Sequence, residues 1–220
     1  MTPYYTDDYV TLYHGDSREV LPDVIDVLEP DVIVTDPPYG IEWESGLMPG
    51  SKSFSPIVGD DSTVLAEWVI STYWPAVPMV VFGAHCFPHL LPEPGRWIVW
   101  DKRLSEQADK MFGSPVEMAW RSGPTMSTVM YRILHSGCVD GDSGGRAARR
   151  HPTQKPVKLF RQIIEDLCPA DGRIVDPFAG SGSTLRAAKD LGRRSVGVEV
   201  DESYCEVIAE RCAQEVLVFD

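Results

Sequence analysis

The chain has 220 residues and a mass of 24.5 kDa, with 43% apolar residues and six Trp, which fits one globular domain with a full core and excludes a disordered chain. No run approaches the roughly eighteen apolar residues that span a bilayer, and Met1 to Tyr13 lacks a basic-then-apolar leader, so a cytoplasmic protein with no membrane partner is expected. Five scattered cysteines without a C-x-x-C spacing argue against a disulfide framework and against a metal site.

The pattern alternates strands with helices. Residues 9–14 read as a short strand, and Ser17–Leu28 as a helix that starts just after Asp16. Residues 31–35 (DVIVT) form an apolar, β-branched run, the mark of a buried parallel strand. A stretch rich in Gly, Pro and Ser over residues 40–59 is too long for an ordinary connection and is expected to be a flexible loop, a candidate lid. Asp61 or Ser62 is expected to cap a helix running to about Trp74. Residues 79–83 and 97–100 read as further strands.

Residues 101–150 are less regular, with short runs at 116–120 and 128–134 and a Gly-rich stretch at 137–145. Periodicity then returns. Pro156 suits a first helical position ahead of Val157–Leu167. Arg173–Asp176 and residues 195–200 read as strands, and residues 183–191 and 202–215 as helices. Such alternation predicts an α/β fold with a mainly parallel sheet and helices on both faces. Ligands in such sheets bind beyond the carboxyl ends of the strands, where the motifs of this chain fall.

Three motifs carry chemistry. The first, DPFAGSGST at residues 176–184, joins an apolar strand to a helix; Gly180 and Gly182 permit a tight turn and close backbone approach to a ligand. It matches neither G-x-G-x-x-G nor G-x-x-x-x-G-K-[ST]. One helix and one strand later comes Glu199, placed where an acid accepts hydrogen bonds from both ribose hydroxyls.

The second motif, DPPYG at residues 36–40, directly follows the DVIVT strand. Pro37 and Pro38 lack N–H donors and leave nearby carbonyls as free acceptors; Asp36 adds an anionic acceptor and Tyr39 an aromatic face. An exocyclic amine held by these acceptors keeps its lone pair directed at an incoming electrophile, and the carboxylate stabilises positive charge developing on nitrogen. Tyr39 can stack on an extruded base.

The third motif, HPTQKP at residues 151–156, has no unique mechanism from composition; Lys155 serves phosphate or simply solvent. It borders residues 143–161, which carry Arg146, Arg149, Arg150, Lys155, Lys158 and Arg161 and no acid. The net charge of −13 counts against nucleic acid as a partner, yet this stretch reads equally as a solvated loop or as a phosphate-facing patch.

Together these segments resemble the permuted beta group of DNA amino-methyltransferases, in which DPPY precedes the F-x-G-x-G loop. The GD at Gly15 and Asp16, WIVWDKR at residues 97–103 and GVEVDESYCEVIAERC at residues 197–212 are similar too. The resemblance implies a Rossmann-like fold in circularly permuted motif order, S-adenosylmethionine as cofactor and double-stranded DNA as partner. Asp176, Phe178, Ala179, Gly180, Ser181 and Gly182 would shape the cofactor pocket. Glu199 would bind the ribose, and Asp16 would lie beside the cofactor adenine. Asp36, Pro37, Pro38 and Tyr39 would hold a flipped base, Gln154 and Lys155 would line the junction of cofactor and DNA, and Arg146, Arg149, Arg150 and Lys158 would meet the DNA. DPPY, in place of SPPY, implies adenine N6 over cytosine N4. Enzymes acting on amino groups of RNA or protein share DPPY-like motifs, and the permuted order argues against them. The target-recognition insert, about residues 104–150 of a single domain, is small for such enzymes, which implies a short or relaxed recognition sequence or reading shared within a homodimer.

Overall fold

A computed structural model describes residues 1–43, 56–103, 114–124, 127–135 and 154–214. The chain opens with strand β1 (Tyr5–Thr6) and strand β2 (Val10–His14), then helix α1 (Ser17–Leu28) and strand β3 (Val32–Thr35). Helix α2 (Val64–Tyr73), β4 (Met79–Phe82), β5 (Gly95–Asp101), β6 (Val116–Ser122) and β7 (Val129–Arg132) follow. Helix α3 (Val157–Leu167), β8 (Arg173–Asp176), α4 (Ser183–Asp190), β9 (Arg194–Glu199) and α5 (Glu202–Ala213) complete it.

The strands form one sheet in the order β1-β2-β9-β8-β3-β4-β6-β5-β7. The five-strand run from β2 to β4 is parallel throughout, while β6 lies antiparallel to both β4 and β5. Period-2 alternation sorts the core onto two faces. Val32, Val34, Val80 and Phe82 face α3 and α4 through Leu159, Phe160, Ile163 and Ala187. Ile33, Met79, Val81 and Val198 face α1 and α2 through Leu21, Ala66, Val69 and Ile70. Leu12 and Val10 pack under Cys205 and Ile208 of α5. Helices therefore cover both faces of a mainly parallel sheet, the architecture expected of a Rossmann-like α/β domain.

Several boundaries differ from the sequence reading for local reasons. Helix α2 is preceded by Thr63, not Asp61 or Ser62, and Thr63 makes no side-chain cap. Pro156 is the cap of α3, not its first residue, because its ψ of 137° is extended. Asp16 caps α1 as expected, its carboxylate accepting from the Arg18 backbone N–H at 2.9 Å. The span 104–150 supplies β6 and β7, so its described part is scaffold; residues 104–113 and 136–150 lie outside the described residues. Residues 44–55 of the expected loop lie outside them too. Among the described residues no helix is long and apolar enough to cross a membrane.

Candidate active site

Chain direction sets where a ligand can sit. From β3 the chain passes through α2 on one face to β4, whereas from β8 it passes through α4 on the other face to β9. The order thus reverses between β3 and β8, and the crevice at their carboxyl ends is the topological switch point. Thr35 Oγ1 donates to Asp176 Oδ1 across it at 2.9 Å. A cavity of about 380 Å³ opens there, within the size range of small-molecule sites.

The glycine loop forms one wall. Asp176 is 2% exposed and also accepts from the Phe178 N–H at 3.2 Å, tying the loop to the strand end. The Ala179 N–H donates to the Val198 carbonyl at 2.9 Å and the Gly180 N–H to Glu199 Oε2 at 2.8 Å, stitching the loop to β9. The other Glu199 oxygen accepts from the Asp201 N–H at 2.9 Å. Both carboxyl groups are held by neutral donors, and burial pushes Asp176 up to about 6 and Glu199 up to about 7 against the lowering effect of those bonds. A wall with two such acids suits a cationic, hydroxyl-bearing ligand that hydrogen-bonds one and neutralises the other.

The DPPYG segment forms the opposite wall. Pro37 and Pro38 are buried, and the carboxylate of Asp60, 5% exposed, accepts from the backbone N–H groups of Tyr39 at 2.8 Å, Gly40 at 3.0 Å and Trp43 at 2.7 Å. Asp60 thereby fixes the turn that aims Asp36 and Tyr39. The Tyr39 hydroxyl donates to Asp36 Oδ1 at 2.5 Å, and its ring meets His85 edge-on with centroids 6.5 Å apart.

Lys155 stands at the cavity, where the resemblance puts it, and at 4% exposure it is not a solvated surface cation. Its ammonium donates to Asp36 Oδ2, lies 3.2 Å from the Tyr39 hydroxyl and 3.6 Å from Glu117 Oε2, and sits over the Phe82 ring at 5.0 Å. Burial disfavours the ammonium, but the Asp36 and Glu117 carboxylates outweigh it and raise its pKa. Lys155 is therefore the cation of a buried acid–base cluster.

Asp16, Asp36, Pro37, Pro38, Tyr39, Gln154 and Lys155 all line the cavity, as do Asp176, Phe178, Ala179, Gly180, Ser181 and Glu199. Gly182 does not; with φ at 75° it precedes α4, and a Cβ there would meet Ile208 at 3.0 Å. Lys158 is exposed in the first turn of α3. Arg146, Arg149 and Arg150 lie outside the described residues.

Asp60, Glu117 and Gly83 went unread in the sequence. Gly83 follows β4 with φ at 68°, and a Cβ there would fall 1.9 Å from a Tyr39 ring carbon. Gly83→Ala is thus expected to cost about 2 kcal/mol through a strained φ and overpacking. Urea unfolding checks this, and a variant as stable as wild type would mean that the Tyr39 ring yields freely.

Comparison with known proteins adds to this geometry. Residues 99–211 match the sequence profile of the N6/N4 DNA methylase family. The type II methyltransferase M.ScaI of Streptomyces caespitosus is 24% identical over 266 aligned positions, covering 97% of this chain and 84% of that protein. The alignment is longer than this chain, so M.ScaI carries insertions relative to it. M.BamHI of Bacillus amyloliquefaciens is 24% identical over 266 positions, covering 95% of this chain and 58% of that protein, and shorter matches to other type II methyltransferases span 21 to 40% of their length. The solved M1.HpyAVI–SAM complex shares the fold with a TM-score of 0.62 at 23% identity, covering 93% of this chain and 100% of that one. The cytosine-N4-specific PvuII DNA methyltransferase does so with a TM-score of 0.62 at 17% identity, covering 98% and 90%.

Proposed function

Because the chain belongs to the N6/N4 DNA methylase family, we propose that it methylates the exocyclic amino group of adenine in double-stranded DNA, with S-adenosylmethionine as methyl donor. The observation that carries this reading is the pairing of Asp36, at the end of β3, with a cavity walled by two buried carboxylates held by neutral donors. That donor set fits the cofactor. Glu199 would take the ribose hydroxyls, Asp176 would face the cationic end, and Phe178, Gly180 and Asp16 would line its bed.

Bound there, S-adenosylmethionine would supply an electrophilic methyl group with its sulfur as the leaving group. The residues of this chain do the rest. Asp36 accepts a hydrogen bond from the amino group, orients its lone pair toward the cofactor cavity, and takes the proton that the nitrogen sheds. The Pro37 carbonyl is a second acceptor for the amino group. Tyr39 supplies an aromatic surface for the flipped base. Arg146, Arg149, Arg150 and Lys158 supply phosphate contacts, and the small 104–150 insert, apart from the strands β6 and β7 that it gives to the sheet, reads a short sequence, alone or across a homodimer.

Adenine is chosen over cytosine on the DPPY motif. The fold shared with the cytosine-N4-specific PvuII enzyme favours cytosine as the second reading. Mass spectrometry of nucleosides from DNA treated with the enzyme and cofactor decides between them. N6-methyladenine supports the proposal; N4-methylcytosine keeps the chemistry and overturns the base.

Glu199 gives this reading a pH signature. Hydroxyl donors need the carboxylate form, so cofactor affinity is expected to rise as pH climbs through about 7. Below that value binding releases a proton, because the ligand favours the ionised acid. The sign for folding is opposite. With the folded pKa raised above the unfolded one, the native state holds a proton that the unfolded chain has lost, so the ligand-free protein loses stability as pH rises toward 7. Calorimetry in buffers of different ionisation enthalpy measures the proton release; equal heats across buffers below pH 7 would contradict the role of Glu199.

A further inference from the structure

Four charges, Lys155 buried and the other three half-buried, form a line running away from the reacting position. Asp36 meets Lys155, Lys155 meets Glu117 at 3.6 Å, and Glu117 Oε1 accepts from Lys102 Nζ at 2.9 Å. The fold explains the line. Because β6 is antiparallel to β4, its first residues lie at the sheet's carboxyl edge, where the Gly83 N–H donates to the Met118 carbonyl at 3.0 Å. Glu117 pairs with Trp100 and lies two residues before Ala119, which shares the sheet face of Phe82. Lys155 sits over that same Phe82 ring. Glu117 is the lone acid in a VEMAW strand, and nothing in its local role as a sheet residue calls for one.

The charge balance shows what it does. Lys155, an ammonium on the catalytic carboxylate, would by itself cancel the negative field that a nitrogen gaining positive charge requires. Resting on the methyl-transfer reading above, we infer that Glu117 is a positioning residue that holds Lys155 on Asp36 and offsets its charge; the four charges sum to zero but alternate along the line, so the end that meets the target amine, Asp36, stays negative. Lys102, on the far side of Glu117, anchors it.

The groups facing Asp36 are Lys155, Tyr39, Glu117 and, across the switch point, Asp176. Burial raises the Asp36 carboxyl, Lys155 and Tyr39 lower it, and Glu117 raises it further. Removing the charge of Glu117 should therefore lower kcat and also move the Asp36 titration to lower pH. A merely structural defect would not move that titration downward.

The experiment compares wild type, Glu117→Gln, Lys155→Met and the double variant, all checked for folding by circular dichroism. Single-turnover methylation of DNA gives kcat, and carbon-13 titration of the Asp36 carboxyl in the cofactor-free protein gives a readout without turnover. Glu117→Gln is expected to lose about tenfold in kcat with an unchanged cofactor Kd. The double variant regains part of that loss, because the ammonium that opposes Asp36 at close range is gone and only the more distant Lys102 remains. Wild-type turnover in Glu117→Gln, an unmoved Asp36 titration, or a double variant worse than both singles would overturn the inference. If Glu117→Gln does not fold, Glu117→Met, which also removes the charge and leaves no polar group to satisfy, decides with the same titration; a lowered Asp36 titration supports the inference and an unmoved one ends it. Wild type that methylates no DNA would instead defeat the methyl-transfer reading, while the titration still reports on the cluster.

Discussion

Replacing Asp36 by Ala is expected to lower kcat by at least about a hundredfold while leaving cofactor affinity close to wild type. Two structural facts separate those effects. Asp36 directly follows β3 on the DPPYG wall of the cavity, whereas the proposed ribose acceptor Glu199 ends β9 and is braced by Gly180 and Asp201. The substitution removes the acceptor that orients the amine, the charge that stabilises it and the base that takes its proton. Lys155 keeps Glu117 as a partner at 3.6 Å, so the buried ammonium is not stranded and the fold should survive. Asp36→Asn keeps the shape and loses only the charge, so it should fall nearly as far. Single-turnover kinetics with calorimetric cofactor binding measures both parts, and wild-type turnover in either variant would remove Asp36 from the chemistry.

The second large effect is expected at Gly180. Its φ of 53° lies in the left-handed region, which a β-branched residue adopts only under strain, and its N–H holds Glu199 Oε2. Gly180→Val should weaken cofactor binding by about a hundredfold or more, since strain at the loop and loss of the Glu199 brace act together. Calorimetry at pH 8 checks it; unchanged affinity would move the cofactor away from this loop.

Much of the fold was legible because its signals are local. Ser17–Leu28 and Arg173–Asp176 were read to the residue, the first from an Asp cap ahead of apolar periodicity, the second from an apolar run before a glycine turn. The N-terminal strand β1 was missed because two residues carry no periodicity. Strands β6 and β7 were seen as short runs, yet their place in the sheet depends on pairing with β4 and β5, far away in sequence. The cavity walls were legible in the same way, since DPPYG and DPFAGSGST each sit at a strand end. What stayed hidden was anything set by tertiary approach. Composition leaves Lys155 open between phosphate and solvent, and only the packing of the residues before α3 over Phe82 buries it against Asp36. Asp60 and Glu117 gave no motif signal, because one acts on backbone N–H groups about twenty residues away and the other on a lysine 38 residues downstream.

The most direct test is transfer of a labelled methyl group from S-adenosylmethionine to unmethylated duplex DNA by the wild-type chain, with Asp36→Ala in parallel. Label in DNA that depends on Asp36 is the predicted result. Cofactor bound with no label in DNA, but label in RNA or protein, would contradict it.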